Sequence, residues 1–233
     1  MDGNGRWAKL RGLPRVEGHR QGMKAVKTCI LSCLDLKIPY LTLYAFSLEN
    51  WERPFREVRF LMKLLQTYAR RERDFFHKKG VRVRVIGDFE KLPTIVRREL
   101  QEVINLTRDN TKLELQLALS YGGRNEILRA VERLVDARES GKSAKEVLTE
   151  EYFSSFLDTA DLPDPDLVIR TSGEHRVSNF LLWQIAYSEL YFTERLWPEF
   201  DRIELEKAIQ SFGARSRRFG KVEFSQDLSS QTG

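Results

Sequence analysis

Helical and strand-like patterns alternate along nearly the whole sequence, and this alternation limits the possible folds more than any other feature. Apolar residues recur at helical spacing over 23–36, and YLTLYAF at 40–46 is a short β-rich run. Strands separated by helices pair in parallel and are covered on both faces. The sequence therefore predicts one α/β domain with a mostly parallel central sheet. The further predicted strands are 81–87, 113–120 and 166–170, and the further predicted helices are 57–79, 94–108, 125–138, 149–157 and 203–218.

Composition supports a globular domain and excludes several classes of protein. The 233 residues are 41% hydrophobic and 31% charged, without an apolar run of transmembrane length or a signal peptide, which predicts a cytoplasmic protein. Cys29 and Cys33 lie four apart in a predicted helix, which favours buried reduced thiols over a zinc site or disulfide framework. The net charge of +5 suits an anionic small substrate or an anionic membrane surface. The polar segment 223–233 is predicted to be disordered.

Polar clusters follow three of the predicted strands, where ligands bind in parallel sheets. They are SLENWERP at 47–54, SYGGRNE at 120–126 and RTSGEHRVSNF at 170–180. The third cluster suits an oxyanion, because guanidinium groups, hydroxyls and amides complement phosphate oxygens. Its members are Arg170, Thr171, Ser172, Gly173, Glu174, His175, Arg176 and Ser178. An exposed loop with arginines paired to neighbouring carboxylates is the alternative.

Two glycine-bracketed segments near the start also suit an anion. GHRQG, from Gly18 to Gly22, is predicted to open the first long helix, and helix N-termini favour anions. Its spacing fits neither the phosphate-loop nor the dinucleotide-binding pattern. In MDGNGRW, polar residues alternate with glycines, which allows the backbone to approach a charged ligand; a flexible polar terminus is the alternative. Asp2 and Glu189 are candidate Mg²⁺ ligands with substrate phosphates, and His175 is a further candidate, although each acid alone is typical of a surface charge.

Six motifs together resemble the cis-prenyltransferases, in particular the bacterial undecaprenyl diphosphate synthases. They are MDGNGRWA, GHRQG, LYAFSLENWERP, SYGGRNEI, DLVIRTSGEHRVSNFLLWQIAYSELYF and WPEF, in this order over nearly the whole chain. The resemblance implies a Rossmann-like domain over 1–222 and a homodimer. It implies Mg²⁺-dependent sequential condensation of isopentenyl diphosphate onto farnesyl diphosphate, giving undecaprenyl diphosphate for cell-wall synthesis. It also implies a protein peripheral to the inner face of the plasma membrane that hands its product to the membrane and binds no nucleic acid.

The resemblance assigns roles to individual residues. Asp2 matches an essential acid that positions magnesium and isopentenyl diphosphate, and Asn50 matches the candidate for assisting proton removal. The residues that match the allylic substrate site and its loops are Gly3, Asn4, Gly5, Arg6, Trp7, Arg15, His19, Ser47, Glu49, Asn50, Trp51 and Arg53. Arg170, Arg176 and Ser178 match the second diphosphate site, with His175 and Glu189 near its metal. Glu57 matches a position implicated in closure.

Two further expectations come from the ends of the family pattern. The family carries an apolar strand ahead of Asp2, and this sequence begins without it, so MDGNGRW is expected to be an active-site loop without its preceding strand. Near the other end, Arg218 matches an R-x-G element that completes the diphosphate site of a second subunit. The alternative for Arg218 is a basic residue near a helix end that complements the helix dipole.

Two rival functions and one structural alternative remain open from the sequence. A catalytically inactive partner subunit would lack the acid and arginine sites, which are present here, and an RNA-binding module would carry aromatic-basic motifs, which are absent. The apolar face of FLMKLL at 60–65 and alternate residues of 113–120 are expected to line a tunnel for the product. Both segments are equally typical of a packed core.

Overall fold

The computed structural model describes residues 1–140 and 147–215. In these ranges the order of helices and strands is α1 (Asn4–Lys9), α2 (Arg15–Asp35), β1 (Tyr40–Ser47), α3 (Phe55–Lys79), β2 (Val81–Ile86), α4 (Thr94–Thr107), β3 (Leu113–Tyr121), α5 (Gly123–Glu139), α6 (Glu150–Ser154), β4 (Leu167–Arg170), β5 (Glu189–Phe192) and α7 (Arg202–Gly213). The predicted last helix ends five residues early, at Gly213. Arg218 and the tail 223–233 lie outside the described residues.

The strand pairs in the described ranges are parallel, which confirms the predicted sheet type. β3 lies between β1 and β2 in a three-stranded sheet. β4 and β5 form a second, two-stranded sheet, in which Arg170 pairs with Phe192. The sequence predicted one sheet and missed β5. β5 lies inside the apolar-rich segment 180–192, so its four residues show no pattern that separates them from their surroundings.

The main hydrophobic core lies between the three-stranded sheet and the helices α2, α3 and α4. β3 is its centre, and Leu113, Leu115 and Leu119 on this strand are almost completely buried. Cys29 and Cys33 are free and buried in α2, as predicted. The resulting structure is a parallel sheet flanked by helices, with the carboxyl ends of β1 and β3 on one edge.

Prolines set the start of three long helices, and this explains why the predicted start of one of them, α3, was two residues late. α2, α3 and α4 begin directly after Pro14, Pro54 and Pro93. Proline has a fixed φ and no N–H group that a helix start would leave unpaired. α3 therefore begins at residue 55 instead of 57. It ends at Gly80, which adopts φ 75°, a left-handed conformation that glycine reaches without strain.

The first residues are not a loop, because α1 is helical from Asn4, and Gly18 does not open α2. Gly18 and Gly22 are buried inside α2, one turn apart, where α1 packs against it. A Cβ atom on Gly18 would lie 1.8 Å from the carbonyl oxygen of Asn4, and one on Gly22 would lie 2.2 Å from Asn4 Oδ1. These glycines permit close helix packing, which corrects their assignment to an anion-binding helix start.

We predict that Gly18→Ala destabilises the protein by about 1–3 kcal/mol, the usual cost of overpacking a filled site. Urea unfolding measures the change in the free energy of unfolding. Gly213→Ala is the matched control, because a Cβ atom there meets nothing within 4 Å. A Gly18→Ala variant as stable as the Gly213→Ala variant would contradict the packing role.

Candidate active site

A cavity of about 1470 Å³ runs beside the sheet, polar near the carboxyl ends of β1 and β4 and apolar along α2 and α3. Pockets for small ligands usually measure about 300–1,000 Å³. The predicted site residues that line it are Asp2, Gly3, Asn4, Gly5, Arg6, Arg15, His19, Ser47, Glu49, Asn50, Arg53, Arg170, Arg176 and Ser178. Leu61 and Leu65 of α3 and Leu115 and Leu117 of β3 also line it, and their role as walls of a product tunnel stays a prediction.

Asp2 is fixed at the polar end by its own backbone. Its N–H donates to Thr171 Oγ1 at 2.9 Å, and its carbonyl oxygen accepts from Thr171 Oγ1 at 3.0 Å and from the Trp197 N–H at 2.8 Å. Gly3 has φ 98°, and a Cβ atom there would lie 2.2 Å from Ser172 Oγ, so only glycine fits. The sequence counted Thr171 as an oxyanion donor, but its hydroxyl positions Asp2 instead.

The Asp2 carboxylate is ionised and partly exposed to the cavity. Burial opposes ionisation, but the Gly3 N–H at 2.7 Å and the Arg170 guanidinium at 3.1 Å outweigh it and lower the pKa of Asp2. The Asp2 side chain is 40% exposed, so its outer lone pairs can reach a ligand. One charged carboxylate is therefore held at a defined place in the site.

Two arginines beside Asp2 share one carboxylate. Arg6 contacts Glu174 Oε1 at 2.8 Å, and Arg176 contacts Glu174 Oε2. Arg6 also donates to the carbonyl oxygen of Ser172 at 2.9 Å, and Arg170 donates to that of Arg176 at 3.0 Å. The sequence gave Glu174 no individual role. The structure shows that it neutralises guanidinium groups that an anionic ligand would otherwise engage.

A second cluster of basic side chains at the cavity surrounds the carboxylate of Glu57. Glu57 Oε1 is 3.3 Å from Arg15 Nε, 3.1 Å from Arg53 Nη1 and 3.8 Å from His19 Nε2. Burial lowers the pKa of His19 to about 4, against the opposing effect of Glu57, so the imidazole is neutral at pH 7. The structure thus brings together residues from α2 and α3 that are more than thirty positions apart in the sequence.

The segment after β1 is fixed by local hydrogen bonds. Asn50 Oδ1 accepts from the Ser47 N–H at 3.4 Å, and Trp51 Nε1 donates to Ser120 Oγ at 2.9 Å. Glu49 accepts from Asn179 Nδ2 at 3.1 Å. Asn179 also accepts from the N–H groups of residues 123 and 124, so it joins all three strand-end clusters. The sequence missed Asn179, and its place next to Ser178 was the available signal.

Four predicted site residues lie away from the cavity lining: Trp7, Trp51, His175 and Glu189. Trp7 stacks against the guanidinium of Arg11, 4.5 Å from its ring centroid. The ring of His175 lies 4.8 Å from that of Phe192. Trp51, which packs edge-on against Phe46, positions its segment from outside the lining.

Glu189 is not brought to Asp2 within the chain. It opens β5, three residues from the Phe192 end that lies beside Arg170, which is a separation of about 10 Å along the strand. Its carboxylate pairs with Arg215 at 2.6 Å. Arg215 holds the Glu189 carboxylate in this structure, and a role of Glu189 as a Mg²⁺ ligand stays a prediction.

The donor set still fits a magnesium ion that binds together with a diphosphate. No group of three or more His, Cys, Asp or Glu side chains suitable for a metal occurs within the described ranges. Mg²⁺, however, commonly takes only one or two carboxylates and completes its shell with phosphate oxygens and water. Asp2, with an exposed carboxylate edge beside two arginines, meets this requirement.

The parallel fold and this site define a class of protein with clustered arginines at one end of a long apolar cavity. The sequence model of the family described as "Putative undecaprenyl diphosphate synthase" matches residues 1–220. An isoprenyl transferase of Heliobacterium mobile is 53% identical over 223 residues, covering 96% of this chain and 86% of that protein. A ditrans,polycis-undecaprenyl-diphosphate synthase of Legionella pneumophila, described as (2E,6E)-farnesyl-diphosphate specific, is 48% identical over 97% of this chain and 95% of its own length.

Solved structures agree with the sequence comparisons. Lavandulyl diphosphate synthase from Lavandula x intermedia, in complex with dimethylallyl diphosphate, superposes with a TM-score of 0.91 at 34% identity, covering 95% of each chain. A probable undecaprenyl diphosphate synthase from Campylobacter jejuni gives a TM-score of 0.77 at 38% identity, covering 87% of this chain and 93% of that one. The chain belongs to the undecaprenyl diphosphate synthase family of cis-prenyltransferases.

We predict that His19 makes the protein less stable as the pH falls from about 7 to 4. The unfolded chain protonates this residue near pH 6.5 and the folded protein only near pH 4. Between these values the unfolded state binds more protons, so the free energy of unfolding decreases by roughly 2–4 kcal/mol in total. Urea unfolding at several pH values measures this decrease in the free energy of unfolding.

His19→Gln should flatten this pH dependence, whereas His77→Gln, at an exposed position of α3, should leave it unchanged. Equal slopes for the wild type and His19→Gln would contradict the assignment.

Proposed function

We propose that this protein is a cis-prenyltransferase that condenses isopentenyl diphosphate repeatedly onto farnesyl diphosphate and forms undecaprenyl diphosphate. The observation that carries the proposal is the presence of two arginine groups at one end of a long apolar cavity. Arg15 and Arg53 form one group, and Arg170 and Arg176 form the other. The relatives named as undecaprenyl-diphosphate synthases support the same reaction.

The charges of the site support diphosphate as the ligand. Glu57 contacts Arg15 and Arg53 of the first group, whereas in the second group Asp2 pairs with Arg170 and Glu174 pairs with Arg176. Guanidinium groups bind phosphate oxygens with paired hydrogen bonds, so a diphosphate can take the donors that these carboxylates now hold. In this proposal the allylic diphosphate binds with Arg15 and Arg53, and isopentenyl diphosphate binds with Arg170, Arg176 and Ser178.

The reaction requires the allylic carbon–oxygen bond to break while the new carbon–carbon bond forms. The arginines stabilise the negative charge that develops on the departing diphosphate, and the apolar cavity excludes water from the cationic carbon. Asn50 is the candidate for assisting loss of the proton from isopentenyl diphosphate. Mg²⁺, held by Asp2 and diphosphate oxygens, supplies further charge neutralisation when it is bound.

Membrane handover of the product follows from its chemistry. Each added five-carbon unit contributes roughly 3–4 kcal/mol of apolar burial, so the finished chain leaves slowly into water. Within the described ranges, no helix is long and apolar enough to cross a membrane. We therefore propose a peripheral protein at the inner face of the plasma membrane that passes its product to the lipid.

A homodimer is the second part of the proposal. Leu128, Val131 and Val135 of α5 are exposed and recur at helical spacing on one face. Such an apolar stripe is typical of a surface that a partner covers. A second copy of this chain is the partner that the family resemblance implies.

The function is tested with farnesyl diphosphate, radiolabelled isopentenyl diphosphate and Mg²⁺, with products separated by chain length. We predict a long-chain product and a fall in kcat of at least about 10²–10³ for Asp2→Asn, the scale of losing one transition-state electrostatic contact. Asp164→Asn, which changes a carboxylate elsewhere on the cavity lining, is the control. Turnover of Asp2→Asn close to that of the control would overturn the role of Asp2.

We predict that Val131→Glu shifts the protein to a monomer in sedimentation experiments, because it places a charge in the apolar stripe of α5. Ile203→Glu, at another exposed apolar position, on α7, should keep the wild-type oligomeric state. Identical behaviour of the two variants would remove α5 from the interface.

A further inference from the structure

The charge of the chain is concentrated on α3. This helix contains eight Lys and Arg residues and three Asp and Glu residues, a net charge of +5. The formal net charge of the whole chain is also +5. The remaining 208 residues are therefore neutral in sum, and one helix carries the excess.

The basic side chains of α3 lie on its outer face, and two of its three acids do not. Glu57 contacts Arg15 and His19 of α2, and Glu72 pairs with Lys27 of α2 at 2.7 Å. Asp74 is the third acid and is exposed. The outer face is thus more basic than the composition of the helix indicates.

Six basic residues form what we call the basic stripe. They are Arg56, Arg59, Lys63, Arg70, Arg71 and Lys78, and all six are exposed. At 3.6 residues per turn they fall within about 120° of arc and extend over about 33 Å. None of their side chains forms an ion pair or hydrogen bond with a residue in the described ranges. Repulsion along this row stays uncompensated unless an anionic partner covers it.

The opposite face of the same helix forms a wall of the product cavity. Leu61, Leu65 and Tyr68 of α3 line the cavity. An α-helix is about 10 Å across, so whatever covers the basic stripe lies within one helix diameter of the product. Leu13 and Tyr40 line the cavity and are exposed, so the cavity reaches the surface at these residues.

We propose that the basic stripe of α3 docks the protein on an anionic lipid bilayer, with the product cavity next to the membrane. This inference rests on the proposed handover of product to a membrane and names the surface that performs it. The apolar face of α3 is committed to the core and cavity, so the contact is electrostatic adsorption and not helix insertion. Nucleic acid fits less well, because no Phe, Tyr or Trp side chain between Arg59 and Lys78 is exposed for bases to stack on.

The test is cosedimentation with vesicles of phosphatidylcholine, with and without phosphatidylglycerol. We expect binding only to the anionic vesicles, weakened by salt. Lys63→Gln/Arg70→Gln should lower the partition coefficient on the order of twentyfold to thirtyfold, since each basic residue near an anionic surface contributes about fivefold. The control is Arg202→Gln/Lys207→Gln, which removes the same charge from α7, and it should bind like the wild type.

Three results would overturn the docking surface: equal loss of binding in the two double variants, equal binding to neutral vesicles, or binding of an RNA oligomer through the stripe without vesicle binding.

The assay of polyprenyl product, run in detergent without vesicles, separates this inference from the proposed function. Lys63→Gln/Arg70→Gln should keep wild-type turnover and product length in detergent. Absence of polyprenyl product from the wild type would refute the function and not the vesicle result.

Discussion

The attachment of Asp2 to β4 and to the segment after β5 is the contact on which the rest of the site depends. Thr171 and the Trp197 backbone hold both polar groups of the Asp2 backbone, and Arg170 holds its carboxylate. Through these bonds the first residues of the chain join a part of the sequence about 170 positions away. They fix α1 on α2 and place Arg6 beside Glu174.

Carboxylates within the site compensate the positive charge of its arginines, and the arginines still face the cavity. The arginines line the cavity and keep carboxylate partners, Glu57 in the first group and Asp2 and Glu174 in the second. His19 stays neutral through burial, so the first group gains no further charge near neutral pH. Once a diphosphate has taken these donors, they are positioned to stabilise the charge of an anionic leaving group.

α3 combines two surfaces that the proposed function needs at one place. Its inner face supplies apolar wall to the cavity, and its outer face concentrates the positive charge of the chain. A helix is a rigid connection between the two, so orientation at a membrane and orientation of the product path are set together. In the proposed docking, the short distance across one helix places the charged surface and the product path at the same part of the membrane.

The sequence by itself determined the strand-helix alternation, the parallel pairing and the positions of the strand-end clusters, because hydrophobic period and turn residues are local signals. The motif order also determined the family, and most residues carried over by it line one cavity. The sequence did not determine that Gly18 and Gly22 serve helix packing, that Thr171 holds Asp2, or that Asn179 joins three clusters. Each of these depends on a partner distant in sequence, and no local pattern encodes the distance between Gly18 and Asn4 or between Glu189 and Asp2. Only the tertiary structure decided which polar residues met at the cavity, because close packing of α1 on α2 and the register of β4 with β5 set those distances.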